Sequence, residues 1–288
     1  MTTATVRLAP TQPPPDLDAV LAEVDRHLGP GVATTLGERP PPVAAIPTGS
    51  LALDLALGVG GIPRGRITEI YGPEGAGKTT LALSVITQAQ AAGGSAVYID
   101  TEHALDPHWA ATTGVDLSRL VLCQPEHGEQ ALQVASLLIN SGAVAVLVLD
   151  SIAALVPRAE LAAAIGEWLP GVQAHLLSQG LRQLCGPIAR SGTAVVVTNQ
   201  LRQRAGAPGT SLYTAGGRAL GYYASVRLDL RRLQALTEGG RMVGSRLRVL
   251  VAKNKLAPAG QTAELEVRDD RGVCEPTSRL EDPTWAAS

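Results

Sequence analysis

The chain has 288 residues, is 45% apolar and 17% charged, and carries a net charge of −2. Those values fit one large domain with a small appendage, and the longest apolar run, 143–149, is far too short to span a bilayer. Cys123, Cys185 and Cys274 are odd in number and widely spaced, and the N-terminus lacks the apolar stretch of a signal peptide. A disulfide frame and a zinc site are thereby excluded, and the expectation is a cytoplasmic protein with free thiols.

Residues 1–15 are rich in Pro and Thr and read as disordered. Leu17, Val20, Leu21, Val24 and Leu28 then recur at helical spacing, and Gly29-Pro30 stops the helix. So short a helix must dock on something, either its own domain or another subunit. A second Pro-rich stretch at 40–42 separates this N-terminal segment, 1–44, from a core at 45–268.

The core alternates strand and helix. Strands are predicted over 67–71, 96–100, 120–123, 144–150 and 194–198, and helices over 78–92, 129–140 and 172–190. The run 144–149 is apolar on both faces, as a central parallel strand is. The fold class is therefore α/β, a mostly parallel sheet with helices on both faces. Segments 225–231, 245–253 and 263–268 alternate more and are joined by short turns, which predicts an antiparallel extension. Residues 269–288 read as a polar tail. Phe is absent, so the core must be aliphatic.

The most specific signal is the run Gly72, Pro73, Glu74, Gly75, Ala76, Gly77, Lys78, Thr79 and Thr80. It fits G-x-x-x-x-G-K-[ST] between a strand and a helix, the context of a phosphate-cradling loop. Glycines let backbone N–H groups approach phosphates, and the helix N-terminus adds its positive dipole end. Lys78 reaches the β/γ-phosphates of ATP in such a loop, and the Thr79 hydroxyl holds Mg²⁺.

Ligands of open parallel sheets sit at the carboxyl ends of the strands. Strand 144–149 ends in Asp150-Ser151, and the carboxylate suits the Mg²⁺ shell. Strand 96–99 ends in Asp100-Thr101-Glu102-His103; Glu102 is the candidate to activate water, unless it or Asp100 only caps the next turn. Strand 194–197 ends in Thr198-Asn199-Gln200, where an amide can sense a γ-phosphate. A basic, Gly-containing loop, 202–217, follows and is either a switch or an ordinary surface loop. Lys253 and Lys255 form a close cationic pair that either serves a neighbouring subunit's nucleotide or ends a solvated hairpin. Between residues 182 and 255 there are 13 Lys and Arg against two acids. That asymmetry admits a face for a polyanion or arginines ion-paired with the acidic remainder.

These segments, taken in order, resemble the bacterial RecA recombinase family. Segments 72–80, 98–107, 148–151, 198–202, 223–229 and 253–255 carry the resemblance at similar spacing, and 47–54 and 128–132 add to it. The similarity spans residues 17–268. It implies a RecA-type P-loop ATPase that uses ATP and Mg²⁺ and binds single-stranded DNA as a homo-oligomeric filament. Recombination, repair and the SOS response to DNA damage are the implied processes. It assigns Glu102 to water activation, Gln200 to γ-phosphate sensing, and Lys253 and Lys255 to the neighbour's ATP. Asp106 joins the nucleotide-binding set. Trp109, which alone reads as a core residue, falls where the family stacks an aromatic on adenine. The first helix falls where the family packs on the adjacent protomer, and head-to-tail packing gives helical filaments. The family's DNA loops fall on 160–170 and 202–217. The implied DNA contacts are Arg182, Arg202, Arg204, Gly216 and Gly217; the candidate wedges between bases are Trp168, Leu169, Leu212 and Tyr213, and Trp168 reads equally as a partner contact or part of a packed turn.

The chain also departs from the pattern. Residues 207–214 lack the family's Phe-Gly-Asn-Pro-Glu stretch, His175 stands in place of an arginine, and Gly221 replaces an interface lysine. The expectation is a core that ends where the family adds a small C-terminal domain. Three functions are therefore open: a DNA-dependent ATPase, with a homologous duplex as further partner if strand exchange is retained; an accessory protein that binds a repair polymerase or RecA; or another P-loop motor such as a helicase.

Overall fold

A computed structural model describes residues 16–33, 35, 37, 42–167, 169–203 and 212–276. The chain divides into two units, Met1–Pro42 and Val43–Ser288. The first contains helix α1 (Leu17–Leu28). Asp16 caps it by accepting the Asp18 N–H at 3.1 Å, and Gly29, at φ 98, ends it. The segment 1–15, read as disordered, lies outside the described residues.

The second unit opens with a two-stranded ribbon, β1 (Ala45–Ile46) and β2 (Ile62–Pro63), that brackets α2 (Leu51–Leu57). Strand and helix then alternate: β3 (Ile67–Gly72), α3 (Lys78–Ala91), β4 (Ala96–Asp100), α4 (Pro107–Thr112), β5 (Leu120–Cys123), α5 (Gly128–Asn140) and β6 (Val146–Asp150). After α6 (Arg158–Ala162) and α7 (Val172–Ser191) come β7 (Ala194–Gln203), β8 (Leu212–Thr214) and α8 (Ala219–Tyr223). The chain closes on β9 (Val226–Glu238), β10 (Arg241–Asn254), β11 (Thr262–Arg268) and β12 (Gly272–Cys274).

One sheet runs in the order β12-β11-β10-β9-β3-β7-β6-β4-β5, with β8 paired to β7. From β9 to β5 all neighbours are parallel; from β9 to β12 all are antiparallel. Successive side chains point to opposite faces. Val146 and Val148 join the core under α3, with Leu81, Val85 and Ile86. Leu147 and Leu149 join the core under α5 and α7, with Ile139, Leu181 and Ile188. Burial on both faces explains the continuous apolar run. Among the described residues, no helix is long and apolar enough to cross a membrane.

Three stretches differ from the sequence expectation. Strand β7 continues past Thr198 to Gln203, because Leu201, Arg202 and Gln203 pair with the returning β8. Residues 202–203 and 212–214 of the loop expected over 202–217 are therefore ladder. Strands β9 and β10 outrun the expected 225–231 and 245–253, because the two-residue turn Gly239-Gly240, at φ 56 and 81, lets polar residues keep pairing beyond the sheet. Strand β12 lies in the stretch read as a tail and pairs with β11. Residues 277–288 lie outside the described residues.

Candidate functional site

Strand β3 ends at Gly72, where an added Cβ would collide with the Leu230 carbonyl. The chain then turns through Gly75, at φ 68, into Gly77, at φ 82. Gly77 is the N-cap of α3 and supplies no side-chain cap. The first amides of the helix are therefore unpaired donors at its positive end, the arrangement that binds anions. Gly75, Gly77, Lys78, Thr79 and Thr80 line a cavity of about 280 Å³ that Ser245, Leu247 and Val267 close from β10 and β11.

Lys78 donates to the carbonyls of Pro73 (2.7 Å) and Gly72 (3.3 Å). Burial pushes its pKa below the ordinary lysine value, against the opposing pull of Asp150, Glu102 and Glu74. Glu74 and Pro73 are exposed, while Ala76 is buried.

Asp150, at the end of β6, is the centre of a hydroxyl cage. Its Oδ2 accepts from Thr79 Oγ1 and from the Tyr98 hydroxyl, each at 2.6 Å, and its Oδ1 accepts from Thr198 Oγ1. Burial, then the neighbouring carboxylate, drives the Tyr98 pKa far above that of an ordinary phenol, so Tyr98 stays a donor. Thr79 and Asp150 are adjacent hard oxygen groups beside the uncapped helix end, a donor set that suits Mg²⁺.

The two acids of β4 and its following turn divide their work. Asp100 is buried and accepts from Ala104 N–H (3.2 Å), Leu105 N–H (3.1 Å) and Gln124 Nε2 (3.2 Å), so it holds the turn. Glu102 is thereby free to face β6 and β7. Its Oε1 accepts from Ser151 Oγ and from Gln200 Nε2 at 3.3 Å. His103 is exposed at φ 54 and belongs to the turn. Asp106 caps α4 by accepting the His108 N–H at 2.8 Å. Trp109 packs on the core under α3 and donates its indole N–H to Thr80 Oγ1 at 3.3 Å.

The lysine pair stands at the other end of the sheet. Lys253 pairs in register with Arg227 and Arg227 with Glu69, near the start of β3, whereas the phosphate loop leaves the end of β3. Lys253 Nζ donates to the carbonyls of Gly221 (2.6 Å) and Tyr222 (3.3 Å), and Lys255 Nζ to Tyr222 (3.0 Å). Lys255 is exposed and Lys253 half-buried. Burial, then Lys255 and Arg227, lowers the Lys253 pKa.

Of the basic stretch, Arg227, Arg231, Arg246 and Arg248 are ion-paired with Glu69, Asp229, Glu266 and Glu264. Arg182 is exposed on α7. Gly216 and Gly217 follow β8 at φ 80 and 75; Gly216 is buried against Leu177 and Ile152, and Gly217 lies beside Ala174. The exit of the second loop thus sits on the helix that carries Arg182. The backbone of Arg202 pairs with Tyr213, which is exposed, and Leu169 is half-buried. Arg204 and Trp168 lie outside the described residues, as do the side chains of Arg202 and Leu212.

Comparison with known proteins fits this geometry. Residues 15–274 match the model of the RecA N-terminal domain. The chain is 52% identical over 259 residues to Protein RecA of Frankia casuarinae, covering 89% of this chain and 75% of that protein. It is 51% identical over 267 residues to Protein RecA of Rhodococcus jostii, covering 92% and 77%. The chain belongs to the RecA family. A crystal structure of the RadB recombinase superposes with a TM-score of 0.62 at 26% identity, covering 80% of this chain and 99% of that one. This RecA-family chain is a RecA-like ATPase of the recombination and repair class.

In this RecA-family site, sequence reasoning overlooked Tyr98, Thr198 and Ser151 as partners of the two carboxylates, and Glu69 with Arg227. For Glu69 a signal existed: an acid in a strand that leads into the phosphate loop from the middle of a sheet must find a cation. For the hydroxyls there was none, because each meets its carboxylate across a parallel strand pair about 50 residues away.

Proposed function

We propose that this chain binds ATP and Mg²⁺ at the 72–80 loop and hydrolyses ATP when assembled head to tail on single-stranded DNA in the cytoplasm. The observation that carries the reading is the convergence of Glu102, Asp150 and Gln200, from three adjacent strand ends, on Lys78 and Thr79, with Lys253 and Lys255 at the opposite end of the sheet. A nucleotide gripped by one subunit's loop could meet these lysines only from a second subunit.

Thr79 and Asp150 would hold Mg²⁺, which would supply positive charge to offset that of the phosphates. Glu102 orients and deprotonates the attacking water. The Gln200 amide, which donates to Glu102, has a better acceptor in a γ-phosphate, so the same donor reports the phosphate and frees the carboxylate. Lys78 and the α3 amides stabilise the phosphate charge, and the neighbour's lysines add to it.

The test is hydrolysis and strand binding by the wild type and Glu102→Gln, with and without an oligo(dT) strand. The wild type should show strand-stimulated hydrolysis and binding that weakens steeply with salt. The variant should retain ATP affinity and lose about 100-fold or more in turnover. Absence of strand binding at low salt with ATP would refute the DNA reading; wild-type turnover in the variant would remove Glu102 from its role.

A further inference from the structure

Glu69 lies within β3 and is fully buried. A buried carboxylate is costly unless paired and hydrogen-bonded, and both of its oxygens are engaged. Oε2 meets Arg227 Nε of β9 at 2.5 Å, and Oε1 accepts from Asn199 Nδ2 of β7 at 2.9 Å. Asn199 is itself a junction. Its Oδ1 accepts the Gln200 N–H at 2.8 Å, and its Nδ2 also donates to the Ala215 carbonyl at 3.1 Å. Arg227 reaches in the same direction, from Nη2 to Thr214 Oγ1 at 3.4 Å, with its guanidinium 4.7 Å over the Tyr71 ring. The Ala215 N–H returns to the Gln200 carbonyl at 3.3 Å. One buried carboxylate therefore grips, through two side chains, the backbone of Gln200, the last residue of β8 and the residue after it.

Glu69 and Arg227 bond to β7, β8 and each other rather than to the phosphate loop, which begins beside Gln200 at Gly72, and neither takes part in the hydrolysis. We propose that Glu69 is a positioning residue that, through Asn199 and Arg227, couples the state of the Gln200 amide to Thr214 and Ala215 at the base of the second DNA loop. The proposal rests on the reading of Gln200 as the γ-phosphate sensor. A displacement of Gln200 moves its N–H, hence Asn199, hence the hydrogen bond to the Ala215 carbonyl. The Arg227 arm holds Thr214 at the other side of the same carboxylate. Water cannot substitute at a carboxylate with no exposed surface, so the link is stiff.

The test is hydrogen exchange over residues 212–216 in the full chain, with and without a non-hydrolysable ATP analogue and Mg²⁺. Glu69→Gln keeps one acceptor and must present a donor to either Asn199 or Arg227, so it severs one arm. Because it leaves the half-buried Arg227 without its counter-charge, the double variant Glu69→Gln/Arg227→Met, which removes both charges, is measured beside it. In the wild type the analogue should slow exchange about tenfold, within the usual range for coupling between sites. In both variants that difference should fall to about twofold or less, while affinity for a fluorescent analogue stays within about threefold of wild type. Full nucleotide-dependent protection in the variants would overturn the proposal. So would loss of protection in step with loss of analogue affinity and of the thermal midpoint, which would leave Glu69 a purely structural role. A wild type that fails to bind the analogue removes the ATPase reading and this proposal with it; analogue bound to a wild type whose exchange does not respond removes the coupling alone.

Discussion

Replacing Tyr98 by Phe deletes one oxygen from the hydroxyl cage of Asp150 and nothing else. The ring is buried in the core under α3 and its packing is retained. The lost contact is a 2.6 Å hydrogen bond to a buried carboxylate, and such bonds contribute about 1.5–3 kcal/mol. Thr79 and Thr198 still reach Asp150, so the carboxylate is not stranded and the cost stays near about 2 kcal/mol. In a body of this size each kcal/mol moves the melting temperature by about 2–4 °C, which gives a drop of about 4–8 °C. Scanning calorimetry of the nucleotide-free chain reads this directly. The drop should be the same at pH 6 and pH 9, because burial and Asp150 keep the phenol protonated across that range. A shift below about 1 °C would mean that the phenol does not support Asp150, and the cage as described would be wrong.

Ser151→Ala removes the hydroxyl that holds Glu102 and leaves only the longer Gln200 contact. ATP affinity should stay level while turnover falls about tenfold, read by steady-state hydrolysis at saturating ATP; unchanged turnover would show that Glu102 is oriented without Ser151. Lys253 loses its proton at lower pH than an exposed lysine, because burial and then Lys255 lower its pKa. The ammonium form is the one that contacts phosphate, so strand-stimulated hydrolysis should decline with rising pH before the ordinary lysine range of about 10.4 is reached. Lys253→Arg, which cannot be deprotonated, should move that decline to higher pH, and coincident pH profiles would refute the assignment.

Much of this was legible in the chain. The glycine loop and its flanks, the five parallel strands and the carboxylates at their ends follow from patterns within about ten residues. What stayed hidden depends on pairing across the sheet. The polar ends of β9 and β10 carry no apolar alternation, yet they pair because Gly239-Gly240 makes a tight turn. Strand β12 is three residues long, and only its register against β11 marks it as a strand. The basic stretch admitted either a cationic face or ion-paired arginines, and four of its arginines meet acids on neighbouring strands or on their own strand. Local composition cannot say which of two charged residues, 158 positions apart in the case of Glu69 and Arg227, will share a buried site.

Mixing two inactive variants tests the shared nucleotide site most directly. Lys78→Ala lacks a working phosphate loop but still offers Lys253 and Lys255; the double variant Lys253→Ala/Lys255→Ala offers an intact loop and no lysines. Each alone should be inactive on a single strand. Mixed in equal amounts, random head-to-tail contacts give complete sites at about one junction in four, so strand-stimulated hydrolysis should return to about a quarter of the wild-type rate. A mixture as inactive as its components would contradict a site built from two subunits.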